Sequence, residues 1–125
     1  MTGFVPSSPL RLVTTSPDPH TLLVTVHGDL DYSTAAELLT AVAHRLEDQQ
    51  ELRDLHIDCT GMRLCDSSGL SMLLMVRRRA DAAAVRLHLD GRGDRLNRML
   101  DITGTLRHLT GEPAEESRHS DQGTS

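Results

Sequence analysis

The run Asp66-Ser67-Ser68-Gly69 holds the side chains of this sequence best placed for chemistry. Two neighbouring hydroxyls follow a carboxylate, at a point where a strand pattern gives way to a helical one. A serine hydroxyl at a helix N-terminus is well placed to carry a phosphate. Several free backbone N–H groups converge there, and the helix dipole favours negative charge by about 0.3–1 kcal/mol at an exposed position. Gly69, having no Cβ, lets a phosphate or another chain come close to the backbone. The same residues also make ordinary helix caps, because Asp and Ser accept hydrogen bonds from the first free N–H groups. Taken alone, capping is the commoner role. Nucleophilic catalysis by Ser67 is a third chemistry, but no G-x-S-x-G elbow surrounds it and no histidine is tied to it by spacing.

Other reactive residues have blander readings. His27-x-Asp29-x-Asp31 alternates as ligands on one strand face would, yet no further ligand is identifiable and a solvated strand end accounts for it. Asp31 also fits an Asx-turn before a helix. Seven histidines are scattered without ligand spacing. Cys59 falls on the apolar face of a strand pattern and reads as a small core residue. Cys65 lies near a helix start, where a thiolate is favoured; a packed, inert thiol is the simpler reading. Met72 and Met75 fall off the main apolar stripe of their helix, beside Ser67. Flexible methionines suit a binding surface as well as a core. Arg77-Arg78-Arg79 reads as a solvated helix face.

These residues need a scaffold, and the periodicities supply one. Leu22–His27, Leu55–Cys59 and Val85–Asp90 alternate apolar and polar side chains as half-buried strands do, and Leu10–Thr15 is a weaker strand. Pro17, Asp18 and Pro19 supply a turn between the first two. Thr34-Ala-Ala-Glu37 has capping-box spacing ahead of an apolar stripe through Ala35, Leu38, Leu39, Val42 and Leu46. A second helix is expected from about Ser67 to Ala83, buried along Leu70, Leu73 and Leu74. A short third helix carries Leu96, Met99 and Leu100 and closes at Gly104 in a left-handed cap. A last strand is a candidate near Leu106–Leu109. The order β-β-α-β-α-β-α predicts an α/β fold with one hairpin and parallel crossovers. The sheet, mixed but mostly parallel and four- to five-stranded, should be covered on one face by three to four helices, since each strand has one polar face.

Composition narrows the classes of function. A chain of 125 residues is ordinary for one domain, expected over residues 10–110 between a loose start at 1–9 and a disordered tail at 111–125. One Phe, one Tyr and no Trp leave an aliphatic core and almost no aromatic faces for stacking on bases or sugars. The net charge of −5 is concentrated in the tail, which holds −3 of it. No electrostatic footprint for nucleic acid or an anionic membrane appears. The opening Met1–Pro9 has neither a basic start nor an apolar stretch, and no 18-residue apolar run occurs. A cytoplasmic protein with reduced thiols is therefore expected.

Three segments in order carry a more specific likeness. Asp66-Ser67-Ser68-Gly69-Leu70 resembles the phosphorylation motif of STAS-domain anti-sigma factor antagonists. Gly28-Asp29-Leu30-Asp31 with Ser33-Thr34-Ala35 resembles the family's G-x-L-D-x-x-T/S-A segment after its second strand. Arg98-Met99-Leu100-Asp101-Ile102-Thr103-Gly104 resembles its segment before the last strand. Spacing and element order agree from about Leu10 to Leu109. The resemblance implies a non-enzymatic switch without cofactor or metal, with Ser67 as phosphoacceptor. Asp66 would orient the Ser67 loop, Asp31 would shape the adjoining surface, and Ser68, Gly69 and Met72 would lie at the partner-binding face. Ser68 is the competing phosphoacceptor.

The implied mechanism is partner switching. The unphosphorylated protein binds an anti-sigma factor that is also an ATP-dependent serine kinase, freeing a sigma factor; phosphorylation of Ser67 ends the complex, and a metal-dependent serine phosphatase resets it. Two departures from the pattern, Cys65 in place of a larger apolar residue and Asp81-Ala-Ala-Ala84 in place of a glycine-containing helix end, bear on partner identity more than on mechanism. The same fold also serves non-phosphorylated scaffolds or nucleotide-binding modules. A monomer is expected, with a dimer left open.

Overall fold

The structure, a computed structural model, describes residues 10–105 and residue 109. Four strands and three helices follow one another as β1 (Leu10–Asp18), β2 (Thr21–Leu30), α1 (Ala35–Asp48), β3 (Asp54–Cys65), α2 (Ser67–Ala82), β4 (Arg86–Asp90) and α3 (Asp94–Thr103). The sheet order is β1-β2-β3-β4, with β1 antiparallel to β2 and both remaining pairs parallel. This is the α/β arrangement that the alternating patterns predict.

One face of the sheet makes the core. Leu22, Val24 and Val26 of β2, Leu55, Ile57 and Cys59 of β3, and Leu87 and Leu89 of β4 are all buried. Against them lie Ala35, Leu38 and Val42 of α1, Leu70, Leu73, Val76 and Ala80 of α2, and Leu96 and Leu100 of α3. Each fully buried Leu, Ile or Val side chain contributes about 1.5–3 kcal/mol relative to exposure, which is what holds helices of these lengths in place.

The other face is mostly polar, with Val13 and Leu23 as apolar exceptions, and no described helix packs on it. His56 and His88 stand opposite each other on β3 and β4 with their rings stacked 4.3 Å apart. Asp90 accepts from His56 at 2.7 Å, and Asp54 lies 2.9 Å from His88 and 3.2 Å from Arg86. These partners, His88 foremost, hold the Asp54 carboxyl below its ordinary 3.8. A depressed carboxylate stabilises the fold above its unfolded pKa, and that contribution is lost as pH falls through the folded value. Asp54→Asn should therefore show a smaller loss of melting temperature than the parent between pH 4 and pH 2. An unchanged acid limb would remove Asp54 from the account.

Several sequence-based expectations change in detail. The capping box at Thr34 and Glu37 does not form: the Thr34 side chain makes no cap bond. Its hydroxyl donates backwards to the Asp29 carbonyl at 2.7 Å and accepts from the Asp31 N–H at 3.0 Å, so the loop uses it before the helix can. β1 runs on past Thr15 through Pro17, tolerated because this is an edge strand with a register break between Thr15 and Asp18. On α2 the buried stripe passes through Leu70, Leu73, Val76 and Ala80, leaving Leu74 only half-buried at its border. Gly104 closes α3 at φ 73° as expected. The expected strand at Leu106–Leu109 is not seen in the one described residue, since Leu109 is buried with its N–H bonded to the Thr105 carbonyl in a helical turn. Residues 106–108, the expected loose start at 1–9 and the expected tail at 111–125 lie outside the described residues.

The glycine-free end of α2 leaves a mark. Ala84 sits at φ 60°, a left-handed conformation that strains any residue with a Cβ. It is exposed, so nothing but the backbone responds to a change there. Ala84→Gly should stabilise the fold by about 0.5–1 kcal/mol, raising the urea midpoint without altering the m-value. A lowered midpoint would mean that Ala84 is not strained.

Candidate functional site

The site is built where two parallel strands end together. β3 extends six residues beyond the alternating stretch Leu55–Cys59, because Gly61–Cys65 pairs with His27–Leu30 of β2. The last pair, Leu30 with Cys65, brings the β2–α1 loop and the start of α2 side by side. Gly28, at φ 104°, sits at a register shift on the way and takes a conformation that a side chain would strain. The carboxyl ends of parallel strands are where open α/β sheets place their ligands.

Asp66 joins the two loops. Its backbone N–H donates to the Leu30 carbonyl at 3.2 Å. One carboxylate oxygen caps α2 by accepting from the Gly69 N–H at 2.9 Å, and the other accepts from the Tyr32 N–H at 3.3 Å. Capping and loop orientation, alternatives on sequence, are thus the work of one side chain. The Leu70 N–H bonds the Asp66 carbonyl at 2.9 Å, so the helix is fully wound from its first turn.

Ser67 is the first residue of α2 and is exposed. Its hydroxyl makes no hydrogen bond among the described residues, whereas Ser68 beside it is half-buried. Among the described residues no imidazole is hydrogen-bonded to the Ser67 hydroxyl. Gly69 is buried, and a Cβ there would run into the Leu30 carbonyl oxygen and lie 2.9 Å from the Cys65 sulfur. Gly69 is thus required for close approach between α2 and β2 within the protein, a different use from the ligand approach read from sequence.

Asp31 is held by its own loop. Its carboxylate accepts from the Ser33 N–H at 3.0 Å and the Ser33 hydroxyl at 2.7 Å. Its carbonyl accepts from the N–H groups of Thr34 and Ala35 at 3.0 and 2.7 Å. The Ser33 hydroxyl is the chief reason its carboxyl lies below the ordinary 3.8, with burial opposing. The Asx-turn geometry is therefore present, and the carboxylate is committed to it.

The remaining candidates fall around this centre. Met72 is half-buried and packs against the core, and Met75 is half-buried on the same helix with its sulfur 3.9 Å from Arg78. Burial pushes the Cys65 thiol up to about 11 and the Cys59 thiol to about 12, so neither supplies a thiolate at neutral pH. Asp29 faces Arg63 at 3.4 Å, and among the described residues no group of three or more His, Cys, Asp or Glu side chains is set to hold a metal ion. Arg77 pairs with Asp81 one turn away at 2.9 Å.

Two residues of the site escape a sequence reading. Thr34, buried and bridging Asp29 to Asp31, is legible in sequence as a cap and as part of the family-like segment, but not as that bridge. Tyr32 is 83% exposed beside Asp66; being the one Tyr of an aromatic-poor chain was the signal that could have marked it.

Comparison with known proteins fits this geometry. None of the curated proteins compared with the chain matches it. Among solved structures, the anti-sigma factor antagonist SpoIIAA in its unphosphorylated form superposes with a TM-score of 0.68 at 16% identity, over 90% of this chain and 97% of that one. An anti-sigma factor antagonist from Mycobacterium paratuberculosis gives 0.68 at 23% identity, over 83% of this chain and 86% of that one. The Bacillus cell fate determinant SpoIIAA in its phosphorylated form gives 0.63 at 17% identity, over 89% and 98%. At these identities the likeness establishes the fold. The family described as Mlab, STAS domain matches residues 13–110, from β1 through the end of α3 and beyond, and the chain belongs to the STAS-domain family.

Proposed function

We propose that this protein is an anti-sigma factor antagonist: unphosphorylated, it binds an anti-sigma factor kinase and frees a sigma factor, and phosphate on Ser67 switches binding off. The observation that carries this reading is the Ser67 hydroxyl itself, exposed at the head of a 16-residue helix and without a hydrogen-bond partner among the described residues. A kinase can reach it without unfolding anything. The free N–H groups and dipole of α2 tolerate the added charge, so the fold survives modification. The neighbouring loops are already fixed by Asp66 and Asp31, so a rigid surface meets the partner around that hydroxyl. Phosphate brings about −1.5 to −2 charges into that surface at neutral pH. In an interface shaped for a neutral hydroxyl, repulsion and desolvation then oppose binding.

Support comes also from the similar structures: SpoIIAA and the Mycobacterium paratuberculosis protein are anti-sigma factor antagonists, and SpoIIAA is known in both unphosphorylated and phosphorylated forms. On this reading residues 10–110 are the working domain, Asp31, Asp66, Ser68, Gly69 and Met72 frame the partner face, and the protein itself catalyses nothing and needs no cofactor. Its partners are an ATP-dependent anti-sigma kinase and a metal-dependent serine phosphatase, it acts as a monomer, and it works in the cytoplasm. Among the described residues no helix is long and apolar enough to cross a membrane. Phosphosite mapping by mass spectrometry, on protein from stressed and unstressed cells, tests the proposal. Phosphate on Ser67 with condition-dependent occupancy is expected. An unmodified Ser67 under every condition would point instead to a constitutive scaffold or a nucleotide-binding module.

A further inference from the structure

Beside the Ser67 loop, a groove of about 670 Å³ opens between the end of β3 and α3. Its walls are Met62, Leu64, Leu96, Met99 and Ile102. Two of these are large apolar side chains left in water, Leu64 at 44% and Ile102 at 70% exposure, one on each lip. Arg95 and Arg98 line the same groove, as does Arg63, itself paired with Asp29 at 3.4 Å, and among the described residues Asp94 is the one carboxylate in the lining. A local surplus of positive charge next to an apolar trough is conspicuous on a chain whose net charge is −5. Cys65 also lines the groove, and its sulfur lies 2.9 Å from where a Cβ on Gly69 would stand, so the trough reaches the first turn of α2.

We infer that this groove binds a single-chain anionic amphiphile, a long-chain carboxylate of the fatty-acid class. The volume falls within the roughly 300–1,000 Å³ typical of small-molecule sites. Met62 and Met99, flexible and polarizable, adapt their packing to an alkyl chain that lacks a fixed shape. The chain covers Leu64 and Ile102, removing apolar surface from water. Its carboxylate meets the guanidinium groups of Arg95 and Arg98, exposed on α3, whose planar forks suit a carboxylate. Charge complementarity selects this occupant: an uncharged hydrocarbon would leave the arginines unused, and a cationic one would be repelled.

Binding is read with the full chain by fluorescence of 11-(dansylamino)undecanoic acid and its displacement by oleate; the chain has no Trp to confuse the signal. Saturable binding displaced by oleate is expected, with methyl oleate at least tenfold weaker. Ile102→Glu and the double variant Arg95→Glu/Arg98→Glu should each weaken oleate at least tenfold. All three positions are exposed, and circular dichroism melts verify that the variants fold. Val13→Glu, exposed at 42% on the uncovered sheet face, should bind as the parent does. The inference is overturned if the parent fails to bind below the micelle-forming concentration. It is equally overturned if Ile102→Glu and Val13→Glu behave alike, or if methyl oleate matches oleate. A concentration-dependent dimer in sedimentation that Ile102→Glu dissolves would assign the groove to a second copy of the chain and also overturn it.

Discussion

Ser67→Asp should weaken binding to the anti-sigma kinase by at least about 100-fold, measured by calorimetry on the purified pair, while the fold stays intact. An unpaired charge forced into a desolvated interface costs about 3–5 kcal/mol, and about 2.7 kcal/mol already corresponds to 100-fold. Nothing comparable opposes the substitution in the free protein. Ser67 is exposed and its hydroxyl bonds none of the described residues, so changes there should stay within about 0.5 kcal/mol of neutral, helped by a carboxylate at a helix N-terminus. Ser67→Ala separates charge from the loss of the hydroxyl and should bind close to the parent affinity. Equal affinities for the Asp variant and the parent would count heavily against a switch at this residue. So would a comparable loss in the Ala variant, which would make the hydroxyl a contact and not a control point.

Gly69→Ala has the largest expected effect on stability, and its sign is diagnostic. In an ordinary helix Gly→Ala is stabilising by about 0.5–1 kcal/mol. Here the added methyl meets the Leu30 carbonyl oxygen and the Cys65 sulfur, so α2 must move away from β2. Overpacking of this kind costs about 1–3 kcal/mol, and about 1 kcal/mol more if the Asp66 cap on the Gly69 N–H is lost. A drop in melting temperature of roughly 10 °C is expected for a domain of this size. Because Asp66 also holds the Tyr32 N–H, the variant that remains folded should be phosphorylated more slowly than the parent. A raised melting temperature would show that the two elements are not in close contact.

Much of this was legible in the sequence because one-sided burial leaves a strict record. Leu55, Ile57 and Cys59 alternate with His56 and Asp58, and Leu22, Val24 and Val26 with the half-buried Leu23 and Thr25, because one face of each strand meets helices and the other does not. The element order followed, and with it the parallel pairing. The extension of β3 left no such record. Gly61–Leu64 is held by backbone pairing to β2 and not by alternating burial, and its Gly61 reads as a break. The Thr34 cap failed for a related reason: spacing gives the distance between a hydroxyl and a helix, but not the Asp29 carbonyl that competes for the same proton. At the site, Ser67 and Asp66 were legible through their position at the strand-to-helix junction. The bond from the Tyr32 N–H to Asp66 joins residues 34 apart in sequence, and no local pattern encodes it.

The central claim is tested most directly by reconstituting the switch from purified parts: this chain, its anti-sigma kinase and the sigma factor that the kinase holds. Release of sigma factor would be followed as the unphosphorylated chain, and then the chain phosphorylated to completion on Ser67 by that kinase, is titrated in. The account predicts that the unphosphorylated form displaces sigma factor stoichiometrically, that the phosphorylated form does not, and that phosphatase treatment restores displacement. Equal displacement by both forms would contradict it.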